Sequence, residues 1–227
     1  MDTNLKISMI LPVYNEAEQI EELLDHLEPF RGGAQILFVD GGSTDGTPER
    51  IKGRFPVVSS PQSGRANQMN YGTSLTDGEI LFFVHADSRL PMNAFSEIHR
   101  IIGAGHQAGC FRIQFDSRSP LMKICGFMSN QRVLYRGIAF GDQGIFLTRN
   151  YFEALGGFLP VPLMEDYQLS MDIKARGDQI LLANATITTS ERRFLKGGRL
   201  RTMARMQRLQ HMYRRGVDIK VIANLYK

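Results

Sequence analysis

The sequence predicts an α/β fold, with a mostly parallel central sheet flanked by helices. Short apolar runs alternate with segments whose apolar residues recur at helical spacing through the first hundred residues. The runs are continuous rather than alternating, which is typical of parallel strands buried on both faces. Polar residues follow several of these runs, so we expect ligands to bind beyond the carboxyl ends of the strands.

Four strands and four helices are predicted in the first half of the chain. We place the strands at residues 7–11, 35–39, 55–59 and 80–85. The helices are expected from about residue 17, from 47 through 51, from 63 to about 74, and from just after Pro91 to about 103. The repeated strand-then-helix order indicates a sheet covered by helices on both faces.

The second half predicts strands at 108–115 and 143–148, separated by a helix that begins near Pro120. The helix carries a Met-containing apolar stripe, which we expect to face the core rather than to line a groove. A further helix opens at Glu165 and Asp166. Acidic residues at a helix start can simply complement the helix dipole, so the sequence leaves open whether this pair has a chemical role.

Three of the predicted strands end in polar clusters that should meet in one crevice. They are Asn15 with Glu16, Asp40 with Asp45, and His85 with Asp87. Side chains two apart on a strand point to the same side, so we expect His85 and Asp87 to face the crevice together. The plainer interpretation of this last pair is a buried strand followed by a helix-capping aspartate.

Two familiar nucleotide-binding patterns are missing from the first strand-to-helix turn. Pro12 and Tyr14 stand where a dinucleotide-binding fingerprint would need glycine, and no P-loop pattern is present. A nucleotide would therefore have to be held in another way.

Composition and charge narrow the remaining possibilities. Two cysteines make neither a disulfide framework nor a zinc site, and we expect a reduced, cytoplasmic setting without a signal peptide. No apolar run approaches the roughly 18–20 residues that span a bilayer. Residues 191–227 carry eleven Lys/Arg against two acids, a balance of +9, whereas the first 190 residues carry −5. The chain thus predicts an acidic body followed by a basic segment.

Six motifs in fixed order resemble the family 2 glycosyltransferases, and the likeness is strongest to small bacterial single-domain members. The motifs are Pro-Val-Tyr-Asn-Glu at 12–16, Val-Asp-Gly-Gly-Ser-Thr-Asp-Gly-Thr at 39–47, Gly-Arg-Ala at 64–66, His-Ala-Asp at 85–87, Gly-Asp-Gln-Gly at 141–144 and Met-Glu-Asp-Tyr at 164–167. The resemblance implies an inverting enzyme with the GT-A fold, which transfers a sugar from a nucleotide-diphosphate donor to an acceptor hydroxyl.

The resemblance also implies roles for individual residues on the donor side. Asp40 would accept a hydrogen bond from the base, typically uracil, so a UDP-sugar is the expected donor. An arginine in the Glu-Arg-Arg-Phe run at 191–194 would lie near the diphosphate, and Arg193 is favoured over Arg192. The full set of implied nucleotide-binding residues is Pro12, Tyr14, Glu16, Asp40, Arg65, His85, Arg192 and Arg193.

A divalent cation, Mg²⁺ or Mn²⁺, is the implied cofactor. Asp87 matches the last acid of the family's D-x-D motif, which ligates the cation that bridges the two phosphates. Such ions take one or two carboxylates together with substrate phosphates, so a single carboxylate can suffice. His85 departs from the pattern, because it stands where the motif has its first acid.

Asp166 is the implied catalytic base. It aligns with the paired acid of the family, and it would remove the proton from the acceptor hydroxyl as the oxygen attacks the anomeric carbon. One displacement then inverts the configuration without a covalent enzyme intermediate.

We predict one glycosyltransferase domain at 1–190, with a nucleotide-binding half at 1–105 and an acceptor half at 106–190, and a basic helical segment at 191–227 packed on it. The basic segment fits either an anionic membrane surface or a core-facing helix with a solvated face. Nucleic acid is not an expected partner, because no aromatic platform accompanies the arginines. The alternatives are a non-catalytic nucleotide-sugar-binding partner and a nucleotidyltransferase of the same fold.

Overall fold

The computed structural model describes residues 5–226, so the predicted boundaries at residues 1 and 227 lie outside the described residues. Among these residues, no helix has the length and apolar character needed to cross a bilayer.

One eight-stranded sheet forms the centre of the molecule, in the order β3-β2-β1-β4-β7-β6-β8-β5. Strands β1 to β4 are parallel to one another, β6 and β8 are also parallel, and β7 runs antiparallel to β4 and β6. The strand bounds are β1 Ile7–Val13, β2 Gln35–Asp40, β3 Val57–Ser59, β4 Ile80–Phe83, β5 Ser88–Arg89, β6 Ala108–Asp116, β7 Phe146–Thr148 and β8 Ile180–Ser190.

Ten helices surround this sheet in the described part of the chain. The bounds of the first seven are α1 Ile20–Leu27, α2 Thr47–Ile51, α3 Arg65–Ser74, α4 Ala94–Gly103, α5 Pro120–Arg136, α6 Arg149–Leu155 and α7 Glu165–Ala175. The last three form the basic segment, and their bounds are α8 Arg192–Gly197, α9 Arg199–Arg214 and α10 Ile219–Tyr226.

The sheet separates two apolar cores, which explains the continuous apolar runs of the sequence. Every residue of β1 and β4 is buried, and successive side chains enter opposite cores. Met9 and Phe82 pack toward α1 and α4, whereas Ile10 and Phe83 pack toward α3 and α6. The predicted α/β class with a largely parallel sheet is confirmed.

Two predicted boundaries differ from the structure near the polar strand ends. Strand β4 stops at Phe83, so His85 and Asp87 lie in the turn before β5 and not on one strand face. Helix α1 begins at Ile20 rather than near Ala17, after a turn in which the Gln19 and Ile20 amides donate to the Glu16 carbonyl. Both differences lengthen the loops at this edge of the sheet.

The expectation that the apolar stripe of α5 faces the core is wrong for much of the helix. Met122 and Val133 are buried, but Ile124 and Met128 are exposed to solvent. Amphipathic spacing shows that a helix has one apolar face, but it does not show what that face contacts. In α5 the apolar face borders a groove instead of the sheet.

Helices α9 and α10 pack on the second half of the chain. Leu209 and Ile222 are buried in a small core with Ile138, Met164 and Tyr167. The first turn of α9 does not pack into this core, because Leu200 is exposed. The predicted core-facing helix with a solvated face therefore describes α9 only toward its C-terminal end.

Candidate active site

Hydrogen bonds join the loops that follow β1 and β2 into one rim. The Asn15 amide donates to Ser43 Oγ, and the Thr44 amide donates back to Asn15 Oδ1, each at 2.9 Å. Asn15 adopts a left-handed backbone conformation, with φ of 53°, to make this exchange. Asp45 Oδ2 accepts from the Ala17 amide at 2.9 Å. The two strand ends are thereby fixed relative to each other.

Asp40 lies beneath this rim with its carboxylate already engaged. Its oxygens accept the amide protons of Gly42 at 2.9 Å and Ser43 at 3.1 Å, and its side chain is only 3% exposed. Asp40 is not among the residues that line the neighbouring cleft. In the structure it shapes the glycine loop, and its predicted bond to a base stays a prediction.

A cleft of about 540 Å³ opens above the ends of β1, β2 and β4. Its lining joins the first strand end, the start of α3, the turn after β4 and the loop before α7. Seven of the residues predicted to bind nucleotide or metal line it: Pro12, Tyr14, Glu16, Arg65, His85, Asp87 and Arg193. The volume is within the range of about 300–1,000 Å³ usual for small-molecule sites.

Strand β8 brings the two candidate arginines to this cleft. The Ser190 amide donates to the Asp87 carbonyl at 3.2 Å, and α8 begins two residues later. Because the segment is helical, the two side chains diverge. Arg192 pairs with Glu16 Oε2 at 3.0 Å, whereas Arg193 lines the cleft.

A smaller cavity of about 70 Å³ lies deeper and borders both halves of the molecule. Asp87 lines it from the turn after β4 and Arg193 from α8, and Asp142 and Asp166 line it from the loop before β7 and from α7. The predicted base and the predicted metal ligand therefore face one small space.

The Asp166 carboxylate is held by two backbone amides. The Gly141 amide donates to Oδ2 and the Tyr167 amide donates to Oδ1, both at 2.7 Å. Met164, two residues earlier, has a left-handed φ of 70°. Such a conformation is unfavourable for a side chain larger than glycine, by about 1–3 kcal/mol, and is typical of functional sites.

Glu165 is buried beside Asp166 and pairs with an arginine from the donor side. Its carboxylate is 3% exposed and accepts from the Arg65 guanidinium at 3.1 Å. Burial and the adjacent Asp166 charge raise the pKa of Glu165, against the opposing effect of Arg65. Burial alone would lower the pKa of Arg65, but Glu165, Asp166 and Asp87 together raise it. The pair therefore bridges the two halves of the site.

His85 packs tightly against the loop that holds Asp166. A Cβ added to Gly141 would lie 2.6 Å from His85 Cε1, so only glycine fits there. Burial lowers the pKa of His85 well below its usual value, and the positive charges of Arg65 and Arg193 lower it further. The imidazole is neutral at physiological pH.

Asp142 is a candidate site residue to which the sequence analysis gave no role. Its Oδ1 atom is buried and has no hydrogen-bond partner among the described residues. Burial raises the pKa of Asp142 to about 6. The charge of Arg132 lowers this pKa, and the charge of Asp166 raises it. Buried polar atoms in folded proteins normally have a hydrogen-bond partner, which can be a water molecule or a ligand. The sequence signal was the Gly-Asp-Gln-Gly motif, which supplies this carboxylate.

The donor atoms at Asp87, the predicted metal ligand, suit a divalent cation only when a bound ligand supplies further oxygen atoms. No group of three His, Cys, Asp or Glu side chains within residues 5–226 is arranged to hold a metal ion. Asp87 offers one hard carboxylate, and the neutral His85 adds no charge beside it. Mg²⁺ and Mn²⁺ are commonly held in this way when phosphate oxygens complete the coordination.

The model of the family described as "Glycosyl transferase family 2" matches residues 8–155. The chain belongs to this family. The match includes the rim loops, Arg65, His85, Asp87 and Asp142. Asp166 and Arg193 lie beyond it.

Two relatives illustrate the sequence likeness. Glycosyltransferase AglE of Haloferax volcanii is 34% identical over 92 residues, which are 36% of this chain and 30% of AglE. A PGL/p-HBAD biosynthesis glycosyltransferase of Mycobacterium bovis is 27% identical over 161 residues, which are 66% of this chain and 62% of that protein. The matches to the first relatives thus span under a third of their length.

Solved structures confirm the GT-A fold. The mannosyltransferase PcManGT of Pyrobaculum calidifontis, in complex with GDP-Man and Mn²⁺, superimposes with a TM-score of 0.68 at 21% identity, over 92% of this chain and 62% of that one. TarS of S. aureus in complex with UDP-GlcNAc gives 0.59 at 18% identity, over 83% of this chain and 57% of that one. At these sequence identities the structural likeness is evidence for the fold alone.

Proposed function

We propose that this protein transfers a sugar from a nucleoside-diphosphate donor to an acceptor hydroxyl, with inversion at the anomeric carbon. The observation that carries the proposal is the shared cavity, in which Asp166 faces Asp87 and Arg193. An inverting displacement needs a base on one side of the reacting carbon and a charge-neutralising site on the other. Family membership makes sugar transfer the reaction class to test.

The donor would occupy the larger cleft. Pro12, Tyr14 and Glu16 would border the nucleoside, with Asp40 holding the glycine loop in place. Arg193 would meet the diphosphate, while Arg192 supports the wall through its pair with Glu16. We propose a uridine nucleotide, and solved relatives in complex with GDP-Man and UDP-GlcNAc make both bases worth testing.

Asp166 would act as the general base. Each carboxylate oxygen accepts one hydrogen bond from a backbone amide and keeps a free lone pair, so the carboxylate can accept a proton without moving. The acceptor oxygen forms the new bond to the anomeric carbon and gives its proton to Asp166. The bond from that carbon to the phosphate oxygen breaks, and its electron pair leaves with the diphosphate.

A divalent cation fits beside Asp87. When bound there with the diphosphate oxygens, Mg²⁺ or Mn²⁺ supplies positive charge to the leaving group. Arg193 provides such charge from the protein itself.

The test replaces Asp166 by Asn and measures both binding and turnover. A carboxamide keeps the shape but cannot take the proton, so turnover should fall about 10²–10⁴-fold while donor binding by calorimetry is retained. Asp172→Asn on the same helix is the matched control, because its amide oxygen can still accept from Gln168. UDP- and GDP-sugars are assayed with Mn²⁺ and with EDTA.

Two outcomes of this test would contradict the proposal, one for the base and one for the activity. Wild-type turnover in Asp166→Asn would refute the assignment of the base. Donor binding without any nucleoside diphosphate release by the wild-type protein would favour a non-catalytic nucleotide-sugar-binding partner.

We also propose that the basic segment associates peripherally with anionic membranes. Arg201, Arg205 and Arg208 are exposed on α9, next to the exposed Leu200. Basic residues beside exposed apolar ones favour an anionic lipid surface. Co-sedimentation with vesicles containing phosphatidylserine, but not with pure phosphatidylcholine vesicles, is the expected result.

A further inference from the structure

A groove of about 450 Å³ runs between α5 and α9, beside the small catalytic cavity. Cys125, Met128 and Tyr135 of α5 form one wall, and Met203 and Met206 of α9 form the other. It is as large as a typical small-molecule pocket.

Apolar side chains of α5 in this groove are open to solvent, although Gln131, Arg136 and Gln207 also line it. Met128 is 59% exposed and Tyr135 is 83% exposed. Ile124, Phe127 and Leu134 continue the same exposed apolar stripe along α5. Contiguous apolar surface of this kind in a protein usually marks a binding site.

The groove is continuous with the site of the proposed reaction. Phe115, Phe140, Asp142, Arg193, Phe194 and Met206 line both the groove and the small cavity that contains Asp166. Arg132 closes the floor, because its guanidinium stacks 3.9 Å from the centre of the Phe140 ring and donates to Gln143. A molecule lying in the groove therefore has its inner end at the proposed base.

The unpartnered Oδ1 atom of Asp142 lies at this junction. A hydroxyl group at the inner end of a groove-bound molecule would lie beside the carboxyl groups of Asp142 and Asp166, which line the small cavity. Asp142 and Arg193 place charged groups at the junction, and exposed apolar side chains such as Met128 and Tyr135 line the outer part of the groove. A molecule with a polar head and a hydrocarbon portion would meet both.

We infer that the acceptor is amphiphilic, with a hydroxyl-bearing head at Asp142 and Asp166 and a hydrocarbon portion in the groove between α5 and α9. The inference rests on the proposed function, since it names the substrate class of that same site. The occupant of the groove is the apolar part of the acceptor itself.

Binding of n-alkyl β-glucosides tests the inference without any donor or turnover. Methyl, butyl and octyl glucosides share one head and differ only in chain length. Each methylene that enters the groove should tighten binding by about fourfold until the groove is filled. Affinities are measured by calorimetry below the critical micelle concentration.

Substitution of the groove wall supplies the specificity control. Met128→Asp should abolish the advantage of octyl over methyl glucoside, because a carboxylate would meet the chain. Met92→Asp changes a methionine that is equally accessible, at 71% exposure, but lies outside the groove, and should leave the advantage intact. Thermal unfolding checks that both variants are folded.

Alkylation of Cys125 gives a second, independent measurement. The chain has two cysteines, of which Cys125 lines the groove and Cys110 is fully buried. Octyl glucoside should slow the reaction of Cys125 with N-ethylmaleimide at least severalfold, and methyl glucoside should not. Burial raises the pKa of the Cys125 thiol, so the reaction is followed at mildly alkaline pH.

The inference is overturned if octyl glucoside binds no better than methyl glucoside, or if Met92→Asp and Met128→Asp weaken it equally. It is also overturned if Cys125 is not protected. These results are distinct from failure of the proposed function, which is the absence of nucleoside diphosphate release from every donor.

Discussion

Replacing Arg65 by Met should destabilise the protein in a strongly pH-dependent way. Arg65 is the partner of the buried Glu165 carboxylate, at 3.1 Å. Methionine preserves much of the apolar volume of the arginine side chain but removes its charge and its hydrogen-bond donors. The buried carboxylate then either stays charged without a partner or takes up a proton.

The magnitude follows from the burial of the two partners. Removing one member of a fully buried ion pair costs about 3–5 kcal/mol, and one hydrogen bond to a charged group contributes about 1.5–3 kcal/mol. Glu165 is 3% exposed, but the Arg65 side chain is 36% exposed and faces the cleft. We therefore expect a loss of about 2–3 kcal/mol at pH 7, which lowers the Tm by roughly 4–12 °C.

The sign of the pH effect follows from the raised pKa of Glu165. A carboxyl whose pKa is higher in the folded protein than in the unfolded chain loses stability as pH rises between those two values. Removing Arg65 raises the folded pKa of Glu165 further, so the added loss develops as pH rises above the already raised pKa that Glu165 has in the folded wild type. Near pH 4 Glu165 is protonated in the folded state of both proteins, and the variant should approach the wild type.

Urea unfolding at pH 4 and pH 7 measures this difference, with Glu165→Gln in both backgrounds. The double variant Arg65→Met/Glu165→Gln should recover most of the loss at pH 7, because no buried charge remains. Equal destabilisation of Arg65→Met at both pH values would refute the reasoning. So would a double variant whose loss is the sum of the two single losses.

Three further results are expected. Because burial raises the pKa of Asp142 to about 6, this carboxyl should cost stability as pH rises from about 4 to about 6, so Asp142→Asn should gain stability relative to the wild type over that range in urea titrations at each pH. Arg193→Gln should reduce turnover more than Arg192→Gln in steady-state assays, since of the two only Arg193 lines the small cavity that contains the proposed base; equal effects would contradict its role. Gly141→Ala should cost about 1–3 kcal/mol in urea unfolding and reduce turnover, because its methyl group would collide with His85; an unchanged variant would show that the loop adapts.

The strands and the donor-side rim could be predicted because their causes are local. Continuous apolar runs such as 80–83 can be buried only between two layers of helices, and parallel strands place their polar ends at one edge. The strand ends therefore predict that Glu16, His85 and Asp87 converge, and the structure places them in one cleft. Pro12 and Arg65, which line the same cleft, were implied only by the resemblance to family 2.

The environments of Asp142 and α5 could not be predicted because they depend on distant parts of the chain. The carboxyl of Asp142 is buried by residues from α5, α7 and α8, which come together only in the fold. The apolar stripe of α5 has the same spacing whether it faces a sheet or a groove. Only the position of α9 decides that Met128 stays accessible.

His85 is the residue whose interpretation the structure changes most. By sequence it replaces an acid next to the proposed metal ligand Asp87. In the fold its ring packs against Gly141, and the Gly141 amide holds the Asp166 carboxylate. A histidine side chain carries no negative charge in either protonation state, so His85 does not replace the charge that an acid would offer to a cation. His85 is therefore placed to fix the loop that orients the proposed base, and the charge at the diphosphate end is left to Asp87 and Arg193.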